Sequence, residues 1–320
     1  MERPVPMDSR SGKIGIVGTG LIGASWGAFY ASKGLAVSLF DADASARQAG
    51  RERTFTYLTF LKEQNLLDAE GYDQAIASVT LTDDLSEAVG GARLIQESVS
   101  ERYDVKKDVF RQIDRAAPPD AILASSSSGL LISELQTVMQ HPGRSLIAHP
   151  FNPPHLIPLV ELVPGKQTAP EVLAEAKALF ESLGKVPVVL NQEVPGHIAN
   201  RLQAAVWREA IDLVLKGVAS VADVDKALAV GPGIRWALMG PHMIFHLGGG
   251  PGGIQHFIDH VGVSFDKLWA DMASWTSLPA ETTDALVSGV REEAGDTPAA
   301  ELARWRDEKI VQLLKAIHDD

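Results

Sequence analysis

Up to about residue 190, short apolar runs alternate with longer amphipathic stretches. The runs Ile14–Val17, Val37–Phe40, Val79–Leu81, Arg93–Gln96, Ala121–Ala124, Ser145–Ala148, Leu159–Val163 and Val186–Leu190 have the length of buried strands. Between them, helices are expected after Gly23, over Ala44–Leu67 with Leu58, Leu61 and Leu66 on one side, and over Asp84–Val89. Further helices are expected over Tyr103–Ala116 before Pro118-Pro119, over Leu131–Met139, and from Pro170 to Leu183 with Gly184 as the stop. Such alternation predicts a largely parallel sheet with helices on both faces. After Glu193-Val194-Pro195-Gly196 the pattern changes. Apolar residues recur at helical spacing (Ile198, Leu202, Ala205, Val206, Ile211, Leu215) and strand-like runs disappear, so a boundary is expected near Gln192. The segment Gly248–Gly253 reads as a tight loop between helices.

The first strand runs into Gly18-Thr19-Gly20-Leu21-Ile22-Gly23, and the second ends at Asp41. Strand, glycine turn, helix, strand and acid in that order suit a dinucleotide. Gly18 permits a sharp turn, Gly20 lets the backbone approach a pyrophosphate, and Gly23 lets the helix lie close on the strand. Leu21 and Ile22 open the helix whose N-terminus faces the phosphate charge. Asp41 favours NAD, because its carboxylate accepts ribose hydroxyls and repels a 2′-phosphate; Arg47, a turn or two further on, is placed to soften that repulsion. The other reading is a glycine-rich turn with Asp41 as a helix cap. The expected fold class is α/β: a Rossmann-type, largely parallel sheet domain (1–192) that binds NAD, followed by an all-α C-terminal domain (193–320).

Composition narrows the function. The chain has 320 residues, enough for two domains, and a formal net charge of −12, which argues against nucleic acid and anionic membrane as partners. It contains no cysteine, which excludes disulfides, thiolate metal sites and a cysteine nucleophile. Met1 to Gly12 is polar with two prolines, lacks a signal-peptide core, and no run approaches a membrane span, so a cytoplasmic protein is expected.

Ligands of open α/β sheets bind beyond the carboxyl ends of the strands. Asp41, Glu97, Ser125 to Ser128 and His149 all fall at such ends. Glu161 comes twelve residues after His149, beyond the turn-forming Phe151-Asn152-Pro153-Pro154, so the carboxylate can return beside the imidazole. A histidine held by a carboxylate is a suitable general base near neutral pH. The alternative is a hydrogen-bonded core histidine with Glu161 as a surface charge. His242/His246 and His256/His260 are spaced four apart, but no nearby acid completes a HExxH-type pattern, so no metal is expected; His246 is instead a candidate pocket residue.

The residues Gly18–Trp26 (GTGLIGASW), Ile95–Glu101 (IQESVSE), Ala124–Leu131 (ASSSSGLL), Ala148–Pro164 (AHPFNPPHLIPLVELVP), Gly196–Gln203 (GHIANRLQ) and Gly231–Pro241 (GPGIRWALMGP) carry a resemblance along nearly the whole chain. The sequence resembles the L-3-hydroxyacyl-CoA dehydrogenase superfamily, and within it the branch holding lambda-crystallin, L-gulonate 3-dehydrogenase and L-carnitine dehydrogenase. The resemblance implies His149 as catalytic base with Glu161 as its partner. It also implies Ser128 and Asn200 as hydrogen-bond donors to the substrate oxygen, and Glu101 and Lys106 as cofactor-site residues. Lys106 otherwise reads as an ordinary solvated helix residue.

In the superfamily, coenzyme A meets basic residues on a helical arm after the second strand. Here Thr54–Gly90 holds one basic residue, Lys62, against seven acids, which favours a small free acid over a polyanionic thioester. Arg235 is the candidate clamp for a substrate carboxylate, its other reading being an interdomain salt bridge. The expected reaction is NAD-dependent oxidation of a small L-3-hydroxy acid to the 3-oxo acid, with L-gulonate as leading substrate. L-carnitine or a 3-hydroxyacyl-CoA are the alternatives, and Trp207, Trp236 and Phe245 are candidates to face a trimethylammonium group. A crystallin-like structural protein that binds NAD(H) is the non-enzyme alternative. The apolar helical positions of Ile198–Leu215 suit either an internal core or, as the resemblance implies, a homodimer through the C-terminal domain.

Overall fold

The computed structural model describes residues 12–318, so the polar opening segment up to Ser11 lies outside the described residues. The chain divides into two compact units, Met1–Asn200 and Arg201–Asp320.

The first unit is built from β1 (Lys13–Val17), α1 (Leu21–Ser32), β2 (Ala36–Phe40), α2 (Ala44–Glu63), α3 (Ala69–Ser78), β3 (Val79–Thr82), α4 (Leu85–Val89), β4 (Ala92–Glu97) and α5 (Tyr103–Ala116). It continues through β5 (Ile122–Ser125), α6 (Ile132–Gln136), β6 (Ser145–Pro150), β7 (Leu159–Pro164), α7 (Pro170–Ser182) and β8 (Val186–Val189). The eight strands form one sheet in the order β3-β2-β1-β4-β5-β6-β7-β8. Every neighbouring pair is parallel except β6 with β7. The chain leaves β1 toward β2 and β3 and then returns to place β4 on the other side of β1. Side by side at that reversal, the carboxyl ends of β1 and β4 open the crevice where ligands of such sheets bind.

Burial explains the strands. Ile14, Ile16, Val17, Leu94, Ile95, Leu123, Leu146 and Ile147 are all fully enclosed, as expected of a sheet covered on both faces. Every residue of α1 from Gly23 to Ala31 is buried, so this helix is apolar all round rather than amphipathic. The helix expected over Ala44–Leu67 stops at Glu63. Asn65 takes a left-handed conformation (φ 57°), and Asp68, whose side chain accepts from the Gly71 amide at 2.7 Å, starts a second helix, α3. Leu58 and Leu61 are buried, whereas Leu66, outside the helix, is 45% exposed. The helix expected over Leu131–Met139 is shorter, because after Gln136 the chain closes into turns from Val138 and Met139 back to Leu135 and Gln136.

The second unit is helical throughout, with no strand among the described residues. It takes up α8 (Ala199–Leu215), whose first two residues belong to the first unit, and adds α9 (Val221–Val230), α10 (Pro232–Leu238), α11 (Pro241–Gly248) and α12 (Gly253–Phe257). Beyond these come α13 (Val263–Asp271), α14 (Thr282–Ala294) and α15 (Ala299–His318). The glycine-rich segment forms a short 3-10 turn, Gly250–Gly252, between α11 and α12. Of the apolar positions in α8, only Ile211 is buried, while Leu202 and Trp207 are more than half exposed. No helix among the described residues is long and apolar enough to cross a membrane.

Candidate active site

The turn after β1 is made by two close approaches. At Gly18 the backbone is left-handed (φ 93°), and a Cβ there would stand 2.7 Å from the Ser98 carbonyl. At Gly23 a Cβ would stand 1.8 Å from the Gly18 carbonyl oxygen, so α1 can lie against the turn only without a side chain. Gly20 differs: a Cβ would meet no described atom within 4 Å, leaving open space in front of the helix N-terminus. No side chain caps that terminus, so the first amides of α1, starting at the exposed Leu21 and the half-buried Ile22, remain free for an anion. This cradle fits a dinucleotide pyrophosphate.

Asp41 stands just past β2, beside the same turn. Its Oδ2 accepts from the Thr19 amide (2.9 Å) and the Thr19 hydroxyl (3.3 Å), and its Oδ1 accepts from the Asp43 amide (3.1 Å). The carboxylate is therefore oriented before any ribose arrives. Arg47 donates to the backbone carbonyl of Asp41 at 2.7 Å, so its guanidinium is engaged with the main chain rather than with the carboxylate.

At the ends of β4 and β5 lies a buried charge network. Glu97 is fully buried; its Oε1 accepts from Lys106 Nζ (2.7 Å) and the Val99 amide (2.7 Å), and its Oε2 from Ser125 Oγ (2.5 Å). Lys106 is only 1% exposed, which corrects its reading as a solvated helix residue: α5 turns it inward onto Glu97, with Glu101 3.6 Å away. Glu101 in turn organises the serine loop. Its Oε1 accepts from Ser127 Oγ (2.6 Å), the Ser128 amide (2.9 Å) and the Gly129 amide (2.9 Å). Burial pushes the Glu101 carboxyl up, but these donors and Lys106 outweigh it and hold the group below its ordinary value.

The four serines have different partners. Ser125 donates to Glu97 and Ser127 to Glu101, while the Ser126 hydroxyl meets Trp26, Gln96 and Ser98. The Ser128 hydroxyl has only a 3.5 Å contact to Glu101 and is the least committed of the four.

The antiparallel pair β6/β7 sets His149 directly across from Glu161. The distance from Nδ1 to Oε2 is 2.8 Å, and both side chains are buried. The other carboxylate oxygen of Glu161 accepts the amides of Ile198 (2.8 Å) and Ala199 (3.0 Å), where α8 begins. Burial raises the Glu161 pKa, yet the hydrogen bond from His149 and these two amides pull it below its ordinary value. An ionised Glu161 accepts the Nδ1 proton, which leaves the His149 Nε2 lone pair as a base. Asn200 follows in the first turn of α8, half-buried.

Arg235 lies in the second unit near the end of α10, exposed, and no carboxylate among the described residues pairs with it. His256 and His260 sit with ring centroids 4.0 Å apart, and His260 Nδ1 donates to the His256 carbonyl. His246 Nδ1 accepts the Ile254 amide. Among the described residues no three His, Cys, Asp or Glu side chains converge as a metal site would require.

Sequence reasoning placed Ser127 at the strand ends only as part of the Ser125–Ser128 run and assigned no role to His197. His197 is 1% exposed, its Nε2 lies 3.0 Å from the Ser127 carbonyl, and its ring centroid is 5.1 Å from that of His149. The available signal was a histidine in a Gly196-His197 turn directly before a helix.

Two family profiles match the chain. That of 3-hydroxyacyl-CoA dehydrogenase, NAD binding domain, covers residues 13–194, and that of the 3-hydroxyacyl-CoA dehydrogenase C-terminal domain covers residues 196–288. An L-carnitine dehydrogenase from Streptomyces coelicolor is 40% identical, spanning 95% of this chain and 94% of that protein. One from Pseudomonas putida is 41% identical over 94% of this chain and 92% of its own length. Among solved structures, an NAD+-dependent 5-formyl-3-hydroxy-2-methylpyridine 4-carboxylic acid 5-dehydrogenase superposes with a TM-score of 0.77 at 30% identity, covering 95% of this chain and 98% of the other. The chain thus belongs to the 3-hydroxyacyl-CoA dehydrogenase family and is an NAD-dependent dehydrogenase acting on a CH–OH group.

Proposed function

We propose that the protein oxidises the 3-hydroxyl of L-carnitine to the 3-oxo acid. The observation that carries the chemistry is the buried His149–Glu161 pair at 2.8 Å. His149 Nε2 takes the hydroxyl proton, and Glu161 stabilises the imidazolium that results. Ser128, whose hydroxyl is the least committed of its loop, and Asn200 donate to the substrate oxygen and orient the reacting carbon. Gly18, Gly20, Leu21, Ile22 and Gly23 hold the pyrophosphate of NAD, and Asp41 holds the adenosine ribose. Glu101 and Lys106 act at the cofactor site by keeping the serine loop and the end of β4 in place. Bound NAD+ supplies the hydride acceptor.

The choice of substrate rests on the L-carnitine dehydrogenases that share about two-fifths of their residues with this chain, and it replaces L-gulonate as the leading expectation. Charge supports it. A net charge of −12 and an arm with seven acids against one lysine disfavour coenzyme A and tolerate a quaternary ammonium. Arg235 is the proposed partner of the substrate carboxylate, because its guanidinium is exposed and unpaired among the described residues. Trp207 and Trp236 are the proposed partners of a trimethylammonium group, because both rings are exposed, whereas Phe245 stacks on Phe257 at 4.6 Å.

The exposed apolar side chains of the second unit, Leu202, Val230, Leu238 and Trp269 among them, support homodimer formation through that unit. Sedimentation at several concentrations tests this, and a monomer throughout refutes it.

The activity is tested by following NADH formation with L-carnitine, D-carnitine, L-gulonate, L-3-hydroxybutyrate and 3-hydroxybutyryl-CoA. The highest kcat/KM is expected for L-carnitine. A higher value for gulonate or the thioester refutes the substrate. Inertness toward all five with intact NADH binding points to the structural, crystallin-like role.

A further inference from the structure

We propose that His197 is a positioning residue that ties the serine loop to the His149–Glu161 pair, a role that rests on the reaction assigned to His149 above. Its ring is bonded to Ser127, and the two residues that follow it donate their amides to Glu161. One residue thus links the strand end that carries the base to the loop that carries Ser128.

Three observations support the assignment. First, the Ser127 carbonyl can only accept, so His197 Nε2 must carry the proton and donate at 3.0 Å. Nδ1 is then a lone pair, buried and without a partner among the described residues. A second proton on this ring would find no acceptor, so the imidazole stays neutral. Burial lowers its pKa and the nearby His149 lowers it further; the Ser127 carbonyl, Glu161 and Glu101 oppose this without reversing it.

Second, the backbone at His197 is left-handed (φ 52°), directly after a left-handed Gly196 (φ 77°). A non-glycine residue in that region needs a compensating interaction. The amides delivered to Glu161 and the ring delivered to Ser127 supply it. Third, Ser127 is the pivot of its own loop: its hydroxyl donates to Glu101 and accepts from the Leu130 amide, while its carbonyl takes His197. Without the His197 bond, the loop keeps its contacts to Glu97, Glu101 and Tyr103 but loses its tie to the turn that donates to Glu161.

The test compares wild type, His197→Gln and His197→Phe as full-length proteins. Glutamine places an amide donor near the position of Nε2, whereas phenylalanine keeps the ring but leaves the Ser127 carbonyl unpaired. NADH affinity is read first by fluorescence and is expected to stay within about twofold in all three. Amide exchange of residues 125–131 is expected to quicken about tenfold in His197→Phe and to stay near wild type in His197→Gln, with distant segments unaffected. With the hydroxy acid that wild type oxidises, kcat is expected to fall about tenfold or more in His197→Phe, with the KM for NAD unchanged, and to recover in His197→Gln. Equal exchange in all three proteins overturns the proposal, as does equal loss in both variants. If wild type oxidises none of the acids, the assigned reaction fails, and the exchange comparison still decides the tether. If His197→Phe does not fold, His197→Gln decides alone: wild-type-like exchange and kcat support the tether, and their loss overturns it.

Discussion

Glu161 faces His149 across an antiparallel ladder, and its two oxygens divide the work: Oε2 meets the imidazole at 2.8 Å, and Oε1 takes two backbone amides at the start of α8. A neutral amide cannot serve both sides. In Glu161→Gln, the NH2 group either meets the paired amides, donor against donor, or donates to Nδ1, which moves the imidazole proton to Nε2 and removes the base. A fall in kcat of about a hundredfold or more is expected, measured with the best substrate. His149→Ala should abolish turnover while leaving NADH affinity within about twofold, and residual turnover near wild type would remove the assigned base.

The same pair predicts a pH dependence of stability. The Glu161 carboxyl is held below its ordinary value, so its contribution is complete above the unfolded pKa of about 4.3 and is lost as pH falls through the folded value. Urea midpoints of wild type and Glu161→Gln should therefore converge on acidification below about pH 4. A gap that persists unchanged would show that the ionised carboxylate is not what stabilises this corner.

Asp41 is held by Thr19 and Asp43 before any cofactor arrives, and Arg47 is bound to its carbonyl. Asp41→Ala should remove the repulsion toward a 2′-phosphate and raise the NADP/NAD ratio of kcat/KM about tenfold or more. The KM for NAD should also rise, because the Thr19 amide loses its acceptor. A wild type that already prefers NADP would refute the assignment.

Gly50 is where α2 touches the cofactor turn. A Cβ there would stand 2.3 Å from Thr19 Cβ and 2.6 Å from the Thr19 carbonyl oxygen. Thr19 is buried and cannot retreat. Gly50→Ala should therefore displace the turn, raising the KM for NAD several-fold and lowering stability by about 1–3 kcal/mol. Unchanged values for both would show that α2 yields instead.

Lys185 is buried, with Nζ donating to the carbonyls of Pro154 and Ile157 and lying over the rings of Trp26 and Phe29. Burial, with a smaller push from Lys33, lowers its pKa to about 7. Between about pH 7 and the unfolded value of about 10.4 the unfolded chain binds the additional proton, so stability should rise with pH across that window, by up to about 4 kcal/mol. Lys185→Met should flatten the rise, as measured by urea midpoints at pH 7 and 9. An identical slope in both proteins would exclude Lys185 as its source.

Local text was sufficient for the strands and the glycine turn, because each depends on residues a few positions apart; for Glu161 beside His149 the spacing leaves a core histidine as the alternative, and the family resemblance favours the pair. Periodicity and turn chemistry act over that range, and so does a short antiparallel connection. The inward turn of Lys106 onto Glu97, the hold of Glu101 on a serine loop 27 residues away and the bond from His197 to Ser127 across 70 residues belong to a different class. In the sequence, Lys106 resembles any exposed helix lysine, and His197 any turn residue. Only when β4, β5, β6 and the start of α8 meet does burial remove water from these groups, and then each must find its partner within the protein.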